Sequence, residues 1–214
     1  EDDEVLVKVY FQNEASIKDV NDLKKMSTKW YSIGRGISMA QKGSPEDIRV
    51  VGAQNGSIVI ELAVYWGIAK MLSSILMYGL KVTERILEIR KKRHEIENLN
   101  LNNKKIIADL KKEEEEVQKA GVKKVLDHII LELNLKANEG DIRSALEKAI
   151  KDILGFTEIG GNIDIVKPET MDDEELEDRK TRGIMKEIDT NVSEIRKLEK
   201  RIRLLEENNN LNQK

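Results

Sequence analysis

Two histidines, His94 and His128, are the first residues to consider for proton transfer or metal binding, because imidazole titrates near neutral pH. His94 follows a basic run in RKKRHE, a composition typical of a solvated helix face. His128 borders an apolar stripe, where a packed side chain is the simpler interpretation. Neither belongs to the His-Glu-x-x-His pattern of zinc proteases. The histidines therefore predict no catalytic or metal site.

Carboxylates are the other abundant reactive groups, with dense runs in KKEEEEV and MDDEELED. Paired acids can bind metals or exchange protons, but charge runs on long helices more often form ion pairs one turn apart. The segment GRGIS at 34–38 lacks the third glycine of a dinucleotide-binding loop. The chain has no cysteine, which excludes disulfides, thiol catalysis and cysteine-bound zinc or iron–sulfur clusters. We therefore expect a protein that is not an enzyme and that uses no cofactor or metal.

The basic run RKKRH at 90–94, with Lys104 and Lys105 nearby, is the strongest candidate for binding nucleic acid. Phosphate binding requires a locally positive field, and glutamates surround this run. No aromatic residue interleaves to stack on bases, and 37 basic against 40 acidic residues leave a net charge of −3. A salt-bridged helix face is the favoured interpretation. Nucleic acid is not an expected partner; that alternative predicts an affinity that falls steeply with salt.

An apolar run from Leu62 to Leu80 contrasts with a chain in which 36% of the residues are charged. Its 19 residues approach the roughly 20 needed to cross a bilayer. Lys70, its only charge, would cost about 2.5–3.5 kcal/mol near the bilayer centre. Outside a membrane, a helix that is apolar nearly all round needs burial on all sides. The other N-terminal residues are too few to provide that cover, which favours a second subunit.

This interpretation assigns the apolar helix to a homo-oligomer interface. Small residues such as Gly67 and Gly79 would let helices approach closely there. The predicted interface residues are Tyr65, Trp66, Ile68, Leu72, Ile75, Leu76 and Tyr78. In the alternative, residues 58–80 insert into the bilayer, and the protein is a membrane-associated effector or anchor.

Residues 1–81 are predicted to form a small α+β base that contains this helix. The alternation of apolar and other residues in VLVKVYF predicts a strand. A helix follows and ends at KGSP, residues 42–45. Two further β-rich runs flank Asn55-Gly56, a dipeptide suited to a type I′ hairpin turn. The expected order is β-α-β-β, followed by a helix that begins near Leu62.

Apolar residues recur every three or four positions over 65–117 and again over 184–209. The first ladder predicts one continuous helix of more than fifty residues, ending at Gly121. We expect residues 82–121 and 168–214 to pair as an antiparallel coiled-coil arm, with a parallel coiled coil between chains as the alternative. Asparagines at core positions would fix the register of this pairing. They are Asn100, Asn103, Asn191 and Asn209.

Residues 122–167 are predicted to form a compact tip at the far end of the arm. Two apolar stripes indicate two short helices, and FTEIGGNIDIV indicates a β-hairpin around Gly160-Gly161. The candidate contact residues for a protein partner are Phe156, Gly160 and Gly161.

Together these features predict an α+β, predominantly helical protein with a β-α-β-β base, one very long helix and an antiparallel arm that ends in a small tip. The expected function is that of a non-enzymatic, self-associating coiled-coil scaffold whose tip binds an unidentified protein partner. The first residues, EDDEV, show no basic-then-apolar leader. The expected location is therefore the cytoplasm, with membrane association as the alternative.

Overall fold

A computed structural model describes residues 4–54, 58–98, 103–134, 140–166 and 179–211. The fold is α+β and mostly helical, as predicted. Within these ranges the strands are β1 (Glu4–Phe11), β2 (Ile48–Gln54), β3 (Ile58–Tyr65) and β4 (Asn162–Val166). The long helices are α1 (Val20–Ala40), α2 (Trp66–Asn98), α3 (Lys104–Leu133), α4 (Gly140–Glu158) and α5 (Arg179–Leu211).

The strands form one antiparallel sheet in the order β2-β3-β1-β4. The alternation predicted for β1 is confirmed, because every second side chain is buried and those between are partly exposed. The buried set is Val5, Val7, Val9 and Phe11.

The helix after the sheet begins at Trp66, four residues later than predicted. Residues 62–65 instead extend β3, where each of them pairs with a residue of β1. An uninterrupted apolar run does not distinguish a buried strand from a buried helix by periodicity alone, which is why the boundary was misplaced. The turn predicted at Asn55-Gly56 includes residues outside the described part of the chain.

Helices α1 and α4 pack against each other on one face of the sheet. An edge-to-face aromatic cluster joins them to β1, with ring centroids 5.4 Å apart for Phe11 and Phe156 and 5.5 Å apart for Trp30 and Phe156. Gly36 of α1 allows the close approach, because a Cβ there would lie only 2.6 Å from the Cβ of Ala149 in α4. This layer forms the core of the base.

Helix α2 ends at Asn98 and α3 returns along it, so the predicted continuous helix of more than fifty residues is wrong. Tyr78 near the middle of α2 stacks on His128 of α3, and Arg90 farther along α2 meets Glu114 of α3 at 2.6 Å, so the two helices are antiparallel. Between the end of α2 and the start of α3 the sequence reads NLNLNN at 98–103. The asparagine side chain competes for backbone hydrogen bonds, and asparagine has low helix propensity. This local signal for a helix end was outweighed in the prediction by the regular spacing of apolar residues.

Helix α5 packs along α2 in the parallel direction. Lys70 near the start of α2 meets Glu187, and Glu84 farther along α2 meets Arg201 at 2.7 Å. The predicted antiparallel pairing of the two ladders is therefore wrong, since α2 is antiparallel to α3 and parallel to α5. A spacing of three and four residues predicts that a helix has a partner but leaves the direction of the partner open.

The described residues between 122 and 166 do not form a separate tip. The second half of α3 lies against the first half of α2, α4 packs on α1, and β4 pairs with β1. Ile163 and Ile165 of β4 are buried in the base. This burial stabilises β4 beside β1, and the strand would lose it at the far end of an arm. Gly160 and Gly161 lie in the turn between α4 and β4, so the predicted hairpin around them is also wrong.

Candidate functional site

The predicted interface residues lie mainly inside the chain. Trp66, Ile68, Leu72, Ile75 and Leu76 are buried, Tyr78 is partly buried, and Tyr65 is exposed at the end of β3. Elements of the same chain supply the cover, namely α3, α4, α5 and the sheet. The argument that this helix needs a second subunit therefore no longer holds, and self-association stays a prediction that requires another surface.

Membrane insertion of residues 58–80 would require β3 and the first half of α2 to leave this core. Lys70 within the run is already paired with carboxylates of α3 and α5. No helix in the described part of the chain carries a stretch both long and apolar enough to span a bilayer.

A polar network fills the junction of α2, α3 and α5. Lys70 contacts Glu187 and lies 3.5 Å from Glu132. Asn191 Nδ2 donates to Ser73 Oγ at 3.0 Å and to Ser74 Oγ at 3.2 Å. The Ser74 hydroxyl also lies within hydrogen-bond distance of Glu132 Oε1, at 3.2 Å. Each of the three helices thus contributes polar groups, and they fix how the helices align.

The charge state of Lys70 follows from these contacts. Burial alone would lower the pKa of its ammonium, but hydrogen bonds and charge attraction from Glu187 and Glu132 outweigh that effect. The pKa of Lys70 therefore lies above its ordinary value, and the side chain is charged at neutral pH. A paired, permanently charged ammonium stabilises structure and is unsuited to acting as a base or nucleophile.

A cleft of about 490 Å³ adjoins this network. On its wall the ring of His128 stacks on Tyr78 with centroids 4.3 Å apart and planes almost parallel. The packed role predicted for His128 accords with this contact. Among the described residues, no group of three histidine, aspartate or glutamate side chains is arranged to hold a metal ion.

The predicted partner-contact residues belong to the base. Phe156 is fully buried against Phe11 and Trp30, so it is unavailable to a partner. Gly161 lies under the Phe156 ring, and the Gly160 carbonyl accepts a hydrogen bond from Asn13 Nδ2 at 3.2 Å. These residues hold the turn from α4 to β4 in place, and their assignment as exposed contacts is wrong for Phe156 and Gly161, which are both buried.

The basic run at 90–94 is largely occupied by ion pairs, the interpretation that the sequence favoured. The Glu114 carboxylate accepts hydrogen bonds from Arg90 Nε and from Arg93 Nη1, each at 2.6 Å. Lys91 lies 3.8 Å from Glu95, and the His94 ring lies 3.3 Å from a glutamate one turn away. These pairs neutralise much of the charge that phosphate binding would need.

An exposed apolar stripe on α1 is the feature that the sequence did not single out. Val20 is 78% exposed, Leu23 is 47% exposed and Tyr31 is 64% exposed. Their spacing places them on one side of the helix, about 16 Å from end to end. The buried side is formed by Met26, Ile33 and residues that follow, so α1 carries two apolar stripes. The angular separation of the two stripes is a signal that the sequence alone carries.

The chain was compared with protein-family models, with curated proteins and with solved structures, and none of them gave a significant match. Its function therefore has to be argued from the geometry of its own surfaces. Of these, the exposed stripe on α1 is the best candidate for a contact with another protein molecule.

Proposed function

We propose that this protein is a non-enzymatic interaction protein that self-associates through α1 and displays a three-helix arm formed by α2, α3 and α5. The observation that carries the proposal is the stripe of Val20, Leu23 and Tyr31. Large apolar side chains that stay exposed together on one helix commonly mark a protein contact, whereas scattered ones do not. A second copy of the chain is the partner to which the proposal commits.

The stripe suits a two-fold contact between copies. Two α1 helices crossing in antiparallel directions would place Val20 of one copy near Tyr31 of the other. Ser27 lies between them on the same side of the helix, and its small side chain would allow close approach at the crossing point. Burying these side chains supplies up to about 1.5–3 kcal/mol for each large apolar residue.

The expected dimer is weak. A stable interface buries roughly 800 Å² on each partner, which is more than a single helical stripe of three residues provides. Association also costs translational and rotational freedom, so only part of the apolar gain appears as affinity. A monomer–dimer equilibrium that depends on protein concentration is therefore expected, rather than an obligate oligomer.

Light scattering after size exclusion, at several protein concentrations, tests this proposal. The mass should rise towards that of a dimer as concentration increases, and Leu23→Glu or Tyr31→Glu should return it to that of a monomer. Leu131→Glu is the matched control, because Leu131 is 77% exposed on α3, away from the stripe. A mass that stays monomeric throughout, or a dimer that both stripe variants preserve, would refute the proposal.

A further inference from the structure

A second cleft, of about 510 Å³, lies between α5 and the adjacent ends of β1 and β4. Its volume falls within the range of small-molecule sites. The lining is mainly apolar, so it would favour a hydrocarbon group over water. The apolar side chains include Val5, Trp66, Ile165, Met185, Ile188 and Val192.

Three cations of α5 border this cleft. Arg196, Lys197 and Lys200 are exposed and lie within one turn of each other. Among the described residues, Lys197 lies 3.8 Å from Glu194, a solvent-exposed pair of the kind that contributes little. Asp189 also borders the cleft, so the described charged groups of its lining, counted without Glu194, sum to about two positive charges.

Trp66, one of the lining residues, carries an indole N–H inside the adjoining core. It is buried and has no hydrogen-bond acceptor among the described residues. A buried donor without an acceptor carries a free-energy cost, and such groups in folded proteins often have a functional explanation. The cleft therefore combines an apolar wall, a cationic rim and an unsatisfied donor in one wall residue.

From this combination we infer that the cleft binds the anion of a medium-chain fatty acid. The hydrocarbon chain lies against the apolar wall, and the carboxylate lies at Arg196 and Lys200. Charge complementarity selects an anion over a neutral amphiphile, and the apolar lining selects an acyl chain over a small polar anion. This inference is independent of self-association, because α5 and the cleft are separate from the stripe on α1.

Fluorescence can report on this site directly. The chain has two tryptophans, so Trp30→Phe leaves Trp66 as the only one. Octanoate, decanoate and dodecanoate would be titrated below their micelle-forming concentrations, and calorimetry with the unsubstituted chain gives a second readout. Saturable binding should tighten about fourfold for each methylene that becomes buried. Dodecanol, which has the same chain without the charge, should bind at least tenfold more weakly than dodecanoate.

Substitutions assign the binding to this cleft. Arg196→Gln combined with Lys200→Gln should weaken dodecanoate binding at least tenfold, and Ser193→Phe should block it by filling the mouth of the cleft. Lys124→Gln is the control, since Lys124 is an exposed cation on α3. The inference is overturned if dodecanoate shows no saturable binding, if dodecanol binds equally well, or if the double variant binds as tightly as the Lys124→Gln control.

Discussion

Gly36→Ala tests the close contact between α1 and α4. Gly36 lies four residues before the end of α1, where a Cβ would clash with the backbone carbonyl of Ala145 and approach the Cβ of Ala149 to 2.6 Å. Alanine gains about 1 kcal/mol in helix propensity. Overpacking costs about 1–3 kcal/mol, and the upper end applies here because a backbone atom moves only with the whole of α4. We expect a net loss of about 1–2 kcal/mol in the free energy of unfolding.

Gly155→Ala is the matched control. Gly155 also lies near the end of its helix, α4, but a Cβ there would have no heavy atom within 4 Å. Alanine should therefore stabilise the protein by about 0.5–1 kcal/mol. Urea unfolding followed by circular dichroism would place the midpoints of the two variants on opposite sides of the natural protein. If Gly36→Ala raised the midpoint as Gly155→Ala does, the close packing of α1 on α4 would be wrong.

Three further predictions concern charged residues. Glu114→Gln, which weakens two arginine contacts on a largely buried carboxylate, should cost about 1–3 kcal/mol, while Glu116→Gln on an exposed pair should change the urea midpoint little. Because the folded pKa of Lys70 is raised, its stabilisation is complete below the unfolded value of 10.5 and is lost as pH rises through the folded pKa. The natural protein should thus lose stability in that alkaline window, and Lys70→Met should not show this loss. Burial raises the pKa of Glu199, so ionisation of this carboxyl destabilises the fold above its unfolded value of 4.5. The Glu199→Gln variant should therefore be more stable than the natural protein at pH 7. This advantage should vanish below pH 4.5. Equal pH profiles for either variant and the natural protein would contradict the corresponding assignment.

Local patterns predicted the parts of this fold that depend on near neighbours. The period of two in β1 and the end of α1 at KGSP follow from residues within a few positions of each other. The predominance of helix follows likewise from long ladders and only two prolines. Contacts between distant segments were beyond such patterns. Lys70, for example, is a charged residue inside an apolar run, and its ion pair with Glu187 makes this possible. Glu187 lies 117 residues later in the chain, so no local pattern could indicate the pair.

The candidate site was harder to predict than the fold for a related reason. Exposure decides whether an apolar residue is available to a partner, and exposure depends on which segments cover it. Phe156 was assigned to a distant tip although it is fully buried. This error arose from placing residues 122–167 far from α1, whereas α4 packs directly on α1.

The length of the apolar run has a physical cause in this fold. Over its first half, α2 is enclosed on several sides, and the cover extends as far as Gly79, which Leu154 of α4 approaches closely. From Val82 onward the helix has α3 and α5 as neighbours and its third side faces water, so charged residues appear there. Residues 66–80 of α2 rise about 22 Å. The apolar run therefore ends where the cover from α4 ends, and its length reflects how far α2 is enclosed by the rest of the same chain.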